Sequence, residues 1–303
     1  MSKPAYTISE QIQILKDRGM LFKDERNAME YLQNISYYRL KGYWWDMQSD
    51  YKEHTFKKNV YFEQVIRRYD FDRKLRGILF NAVEYIEISI RTKLIYHLSL
   101  KYGGLWYLEE NLFDRTKNKT YQRTINKLQE EFNRSQEVFV IDHRRRHKNV
   151  SPDVWKILEV ASLGTLSKLY KNLKHQLPEK SKIANEMGLN LHTELSSWLE
   201  AISYMRNIIA HHSRLWSKNM TKKPTYKLKN PRGKWFQYSD KLTEVQIKKP
   251  FLIISCMVYL CDIMNPQHSV REELLDLFKE YSDIEIYKLG FVNSWYKEQV
   301  WLK

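Results

Sequence analysis

The sequence predicts an all-α protein, and three observations carry that expectation. Apolar residues recur at three- and four-residue spacing through Leu75, Ile78, Leu79, Ala82, Ile86, Ile90 and Leu94. They do so again through Leu195, Trp198, Leu199, Ile202, Met205 and Ile209, the stripe of a helix that buries one face. Gly19, Gly103-Gly104, Ser151-Pro152 and Gly188 punctuate the chain between such runs, and a strand pair can be read only near Tyr226–Tyr238.

In chain order, Ile8–Arg18 and Asp24–Gln33 read as two short helices around Gly19, with Thr7 or Ser9 able to cap the first. Tyr37–Trp45 follows as an aromatic helix with Arg39 and Lys41 among its rings, either a docking surface within the protein or a contact for RNA. Asp50–Asn59 is polar and reads as a loop. Val60–Tyr102 is the longest helical stretch, one helix or two in line. On it Glu84, Glu87 and Arg91 share a face away from the apolar stripe, where Glu87 and Arg91 form a surface ion pair or line a site.

A basic insert occupies about 105–150. Thr120–Asn133 is expected to be helical, and Asp142–Lys148 places Arg144, Arg145 and Arg146 between His143 and His147, with Lys148 next. Two histidines at i, i+4 suit a metal, but the intervening like charge and the lack of a third ligand argue against one. A solvated basic face and a phosphate contact are the remaining readings. Pro152–Leu173 reads as a helix bent or broken at Gly164, and Glu179–Met187 as a short helix. The next helix carries the apolar stripe of Leu195–Ile209, with Thr193 as its N-cap and Glu194 in its first turn.

Beyond Trp216, Ser217–Lys249 holds ten Lys and Arg against Asp240 and Glu244. Tyr226–Lys229 and Trp235–Tyr238 flank Asn-Pro-Arg-Gly and read as a small β-hairpin. Pro250–Met264 is expected to be a buried helix, Ser269–Tyr281 an amphipathic one, and Phe291–Trp301 an aromatic helix or turn.

The chemistry lies in Ser203–Trp216, where Arg206, Asn207, His211 and His212 stand beside the apolar stripe. Such residues are commonly solvated or satisfied locally. Together they also suit phosphodiester chemistry. An imidazole exchanges protons near neutral pH, and a guanidinium matches the charge of a phosphorane-like transition state. With RNA the 2′-hydroxyl is itself the nucleophile, so neither a metal nor a protein nucleophile is required.

Arg206-Asn-Ile-Ile-Ala-His211 resembles the Arg-x(4–6)-His signature of the HEPN superfamily, helical domains that include metal-independent ribonucleases. The longer string Arg206–Trp216 is similar to the Abi-like abortive-infection proteins of bacteria, of the AbiD/AbiF type. Ile35-Ser-Tyr-Tyr-Arg-Leu-Lys-Gly-Tyr-Trp44 resembles that family's Tyr-Tyr-Arg-Leu-x-Gly-Tyr element. Phe71-Asp-Arg-Lys-Leu-Arg76 through Glu84–Arg91 resembles its first long core helix. Trp155–Tyr170 resembles a further element, with Leu163 where Phe is usual.

The resemblance implies a HEPN-like helical bundle over 60–217, with helical additions at 1–59 and 218–303, the latter carrying the hairpin. It implies an endoribonuclease of a toxin–antitoxin, phage-defence kind, with His211 as general acid/base, Arg206 on the scissile phosphate, Asn207 orienting the imidazole and His212 as a second candidate. It also implies composite dimeric sites. Residues 206 and 211 point about 140° apart on a regular helix, so a homodimer would bring them together more readily than one chain. The rival reading is a non-catalytic RNA-binding module of the same superfamily.

Lys and Arg outnumber Asp and Glu by 51 to 36, a net charge of +15, which favours an anionic partner with nucleic acid ahead of membrane. Arg39, Arg91, Arg144, Arg145, Arg146 and Lys148 are the candidate RNA contacts. The 21 tyrosines and nine tryptophans suit base stacking, although most are expected in the core. The basic runs would also suit a non-coding RNA antitoxin, and some relatives of this type are associated with such RNAs. Cys256 and Cys261 fit no zinc pattern, and no cofactor is expected. There is no Gly-rich phosphate loop, paired-carboxylate motif or nucleophile elbow. The first residues lack the apolar core of a signal peptide and no apolar run spans a bilayer, so a cytoplasmic protein is expected.

Overall fold

One helix of 41 residues, α4 (Phe62–Tyr102), is the axis on which the other elements pack. At 1.5 Å per residue it runs about 60 Å. Its buried face carries Leu75, Leu79, Ala82, Ile86, Ile90 and Leu94 of the stripe read from the sequence, with Ile78 partly buried beside them and Leu98 extending the face, and it is a single helix. Gly103, at φ +79°, turns the chain out of it. The computed structural model describes residues 4–237 and 242–302, and it is all-α, with thirteen α-helices among those residues.

The N-terminal helices form where their caps allow. Thr7 Oγ1 accepts from the Glu10 amide and Glu10 accepts from the Thr7 amide, opening α1 (Ile8–Asp17). Asp24 caps α2 (Glu25–Asn34), and Ser36 caps the aromatic helix α3 (Tyr37–Trp44). Residues 50–59 are irregular, as expected.

The insert contains α5 (Asn118–Arg134) and α6 (Val138–Arg146), followed by α7 (Val154–Ile157) and α8 (Leu163–Asn172). The break between the last two lies before Gly164. The Arg91 guanidinium binds the carbonyls of Leu158 and Ala161, and Glu131 takes the amide and hydroxyl of Ser162, so the chain cannot continue as helix there. Gly164 serves a close approach instead. A Cβ there would lie 3.2 Å from Ser203 Oγ on the helix packed against it.

After α9 (Pro178–Glu186) comes α10 (His192–Ala210), which packs on α4, α8 and α9. Thr193 is not its cap. The Leu191 amide donates to Glu194 Oε2, so the helix begins one residue before Thr193.

No β-hairpin forms among the described residues of 226–237; Tyr238, Asp240 and Lys241 lie outside them. Amides of this segment are taken by residues remote in sequence. Lys229 N donates to Glu194, Arg232 N to the Gly188 carbonyl, Gly233 N to the Tyr259 hydroxyl and Gln237 N to Glu298. Between the two predicted segments Trp235 Nε1 donates to the Tyr226 carbonyl at 2.7 Å.

The C-terminal region holds α11 (Glu244–Ile247), α12 (Pro250–Met264) and α13 (Val270–Glu280). Helix α12 is buried against α4 and α10, and Phe251, Phe278, Phe291, Trp295 and Trp301 pack at its edge over short 3-10 turns. The hydrophobic core therefore runs without interruption from Ile12 to Trp301.

One polar group sits inside this core. Asp72 of α4 is fully buried and accepts from the Tyr43 hydroxyl of α3 at 2.7 Å and from the amides of Leu215 and Trp216, beyond α10, at 3.1 and 2.8 Å. Arg76, one turn along α4, completes its shell as an ion pair. Burial pushes the Asp72 carboxyl up from its ordinary range, and Arg76, Tyr43 and the two amides oppose that shift. Removing the carboxylate would strand a buried guanidinium and two buried amides. Asp72→Ala is expected to cost about 3–5 kcal/mol in urea unfolding, the range for breaking a buried charge pair. A loss below about 1 kcal/mol would contradict the role given to Asp72.

Candidate functional site

The motif segment emerges from α10 through a turn of unusual composition. Ala210 is the last helical residue and His211 the C-cap. The His212 amide donates to the Ile209 carbonyl and the Ser213 amide to the Ile208 carbonyl, both at 2.9 Å, the bonds of a Schellman ending. That ending needs a left-handed residue, usually Gly, at the position His212 fills with φ +52°. A side chain there costs about 1–2 kcal/mol.

The chain is held in this turn from α3. Arg39 donates to the His212 carbonyl, and Arg214 reaches back to the Gly42 carbonyl. A Cβ at Gly42 would stand 3.2 Å from Arg214 Nε, so the bare residue lets the guanidinium in. Two residues further, the Leu215 and Trp216 amides are fixed on Asp72. The segments around Tyr43, Asp72 and Trp216, distant in sequence, thus meet at one point.

The four candidate catalytic residues are placed differently. Arg206 is half-buried beside Glu87 of α4, while Asn207, His211 and His212 are exposed. Burial pushes the Glu87 carboxyl up, and Arg91 and then Arg206 pull it back. The side chains of Arg206, Asn207 and His211 make no hydrogen bond with any described residue. Because α10 stays regular to Ala210, Arg206 and His211 leave it about 140° apart. They share the end of one helix but not one direction.

The candidate RNA contacts divide sharply. Arg91 is withdrawn from the surface, its side chain 12 % exposed and bound to Glu87 at 3.1 Å and to two carbonyls at the α7–α8 corner. It is a bracket, and the surface role expected of it is corrected. Arg144 likewise caps α5 through the carbonyls of Asn133 and Ser135. Arg39 is committed to His212 and lies over the Tyr69 ring. Arg145 and Arg146 share one carboxylate, Asp142, and stay largely exposed, as does Lys148. His143 is buried with Nε2 near the Val150 carbonyl, and among the described residues no cluster of three or more His, Cys, Asp or Glu could hold a metal.

Sequence reasoning missed Asp72 and Arg214 as individual residues. The signal for Asp72 was present, an acid and an arginine at i, i+4 inside an apolar stripe, where unpaired charge is not tolerated. Nothing local marks Arg214, whose acceptor is 172 residues away. If His212 is held against its preference, His212→Gly should gain about 1 kcal/mol in urea unfolding. A loss of similar size would contradict this account of the turn.

Comparison with known proteins bears on the same segments. The family model for Abi-like proteins matches residues 30–217, which take in α3, α4, α10 and the Asp72 cluster. No curated protein and no solved structure gave a match. Since the family match covers more than half of the sequence, the chain belongs to the Abi-like protein family.

Proposed function

We propose that this Abi-like protein is a metal-independent endoribonuclease of a bacterial abortive-infection or toxin–antitoxin defence system, with a HEPN-type Arg-x4-His site. Family membership supports the abortive-infection role. The observation that carries the chemistry is a division of labour among side chains. Arg39, Arg76, Arg91, Arg144 and Arg214 are hydrogen-bonded to backbone or carboxylate partners, whereas Asn207 and His211 are exposed and, like Arg206, which lies half-buried near Glu87, make no side-chain hydrogen bond with any described residue.

In this reading His211 takes the proton of an RNA 2′-hydroxyl as its oxygen attacks the adjacent phosphorus. The bond from phosphorus to O5′ breaks, and the departing oxygen receives a proton from the same imidazole or from His212. Arg206 stabilises the charge that builds on the phosphorane oxygens, and Asn207, one turn before His211, orients the ring or contacts phosphate. The divergence of Arg206 and His211 favours a second copy completing each site. Phe80 and Ile88, exposed apolar residues on the face of α4 that carries Glu84, lie near Glu87 and Arg206 and suit a two-fold contact there. The exposed Arg145, Arg146 and Lys148 suit an RNA held away from the reacting phosphate, either substrate or a non-coding antitoxin. No described helix is long and apolar enough to cross a membrane.

Cleavage of RNA should persist in EDTA and leave 2′,3′-cyclic phosphate and 5′-hydroxyl ends, while DNA of the same sequence survives. Loss of cleavage on chelation with recovery in magnesium would overturn the mechanism. The composite site has its own test. Neither Arg206→Ala nor His211→Ala homodimers should cut, but mixing them should restore part of the activity, because one of the two sites in a heterodimer is intact. Failure of the mixture to cut, with heterodimers demonstrated, would place both residues of a site in one chain.

A further inference from the structure

A cavity of about 850 Å³ lies between the N-terminal helix pair and α3, within the range of about 300–1,000 Å³ typical of ligand pockets. Its walls combine features that match one kind of ligand. Tyr37 and Tyr38 offer ring faces, and Tyr38 is 84 % exposed. Tyr37 is held rigid, edge-on to Trp44 and with its hydroxyl accepting from Arg18 at 2.9 Å. Arg18 and Lys41 supply positive charge, and among the described residues no carboxylate lines the cavity. Gln33 presents an amide with no described hydrogen bond, and Gln11 Oε1 is buried without a partner among the described residues.

Flat rings, the Gln33 amide, the unpartnered Gln11 Oε1 and two cations faced by no lining carboxylate are elements that bind an unstacked base and its phosphate. The rings stack, the amides read a base edge, and the cations neutralise the phosphate. An acidic or purely apolar ligand would leave part of this set unused. We propose that this cavity is a nucleotide subsite, taking one 5′-phosphorylated nucleoside unit of a single-stranded RNA. From the proposed function it takes the premise that RNA is the ligand, not the premise that RNA is cut.

Its position gives it a purpose. Helix α3 presents Tyr37, Tyr38 and Lys41 to the cavity, while its Arg39 and Gly42 hold the turn that carries His211 and His212. Helix α3 therefore borders both the cavity and the turn that carries the candidate reacting groups. A nucleotide held there would set which phosphate of the strand reaches them.

The test measures binding in His211→Ala protein, so that cleavage does not enter the readout. A short labelled single-stranded RNA is titrated by fluorescence anisotropy, with 5′-AMP and 5′-UMP as competitors. Tyr38→Ala combined with Lys41→Ala should weaken RNA binding about tenfold or more, the loss of one stacked base, with the urea midpoint unchanged. Tyr38→Ala alone, at an exposed position, should give part of that loss and guards against misfolding. Mononucleotides should compete only weakly. If they instead bind tightly and lose binding in the same variants, the unit recognised is a free nucleotide.

Unchanged affinity for RNA and mononucleotides in the double variant overturns the subsite. If wild-type protein cuts RNA and the double variant binds and cuts it equally well, the subsite fails and the proposed function stands. If wild-type protein cuts no RNA yet the double variant loses binding, the reverse holds.

Discussion

A single buried carboxylate decides how the candidate site is built. Asp72 lies in the apolar face of α4, where an unpaired charge would be prohibitively costly, and it is tolerated because every group facing it is a donor. Those donors come from α3, from α4 itself and from the chain after α10. Satisfying one carboxylate therefore fixes three separate segments relative to each other. The turn at His211 and His212 hangs between that anchor and the end of α10, which explains how a histidine can be held at φ +52°.

Magnitudes sort the remaining polar contacts. The exposed pairs, such as Arg145 and Arg146 with Asp142, add little to stability and are screened by salt. They define a charged surface more than a fold. The half-buried arginines matter differently, because each satisfies carbonyls left without a helical partner. Arg91 sets the α7–α8 corner, Arg144 finishes α5, and Arg39 and Arg214 lock α3 to the motif turn. Excess positive charge in the sequence is therefore a poor count of surface available to RNA, since much of it is structural.

The helices were legible because their determinants are local. Thr7, Asp24 and Ser36 cap as their residue types suggest, the stripes of α4 and α10 face the core at the spacing read from the sequence, and α12 is buried as expected. Where local reasoning failed, the controlling partner was remote. The expected hairpin lost its amides to Glu194, Tyr259 and Glu298, and the break before α8 was set by Arg91, 67 to 70 residues away. At the candidate site, residue chemistry and resemblance pointed to Arg206, Asn207 and His211, and the structure adds where they sit and that their side chains make no hydrogen bond with any described residue. The meeting of α3 with the motif turn could not be read, because it depends on Arg214 and Gly42, residues without a local signature.

The central claim is that the scaffold around Asp72 exists to present His211 as a chemical group rather than as part of the fold. The most direct test measures RNA cleavage and urea unfolding together for wild type and His211→Ala. Loss of a general acid/base should lower cleavage by about 10²–10⁴-fold while the unfolding midpoint stays where it was. Cleavage by His211→Ala at the wild-type rate would contradict the account.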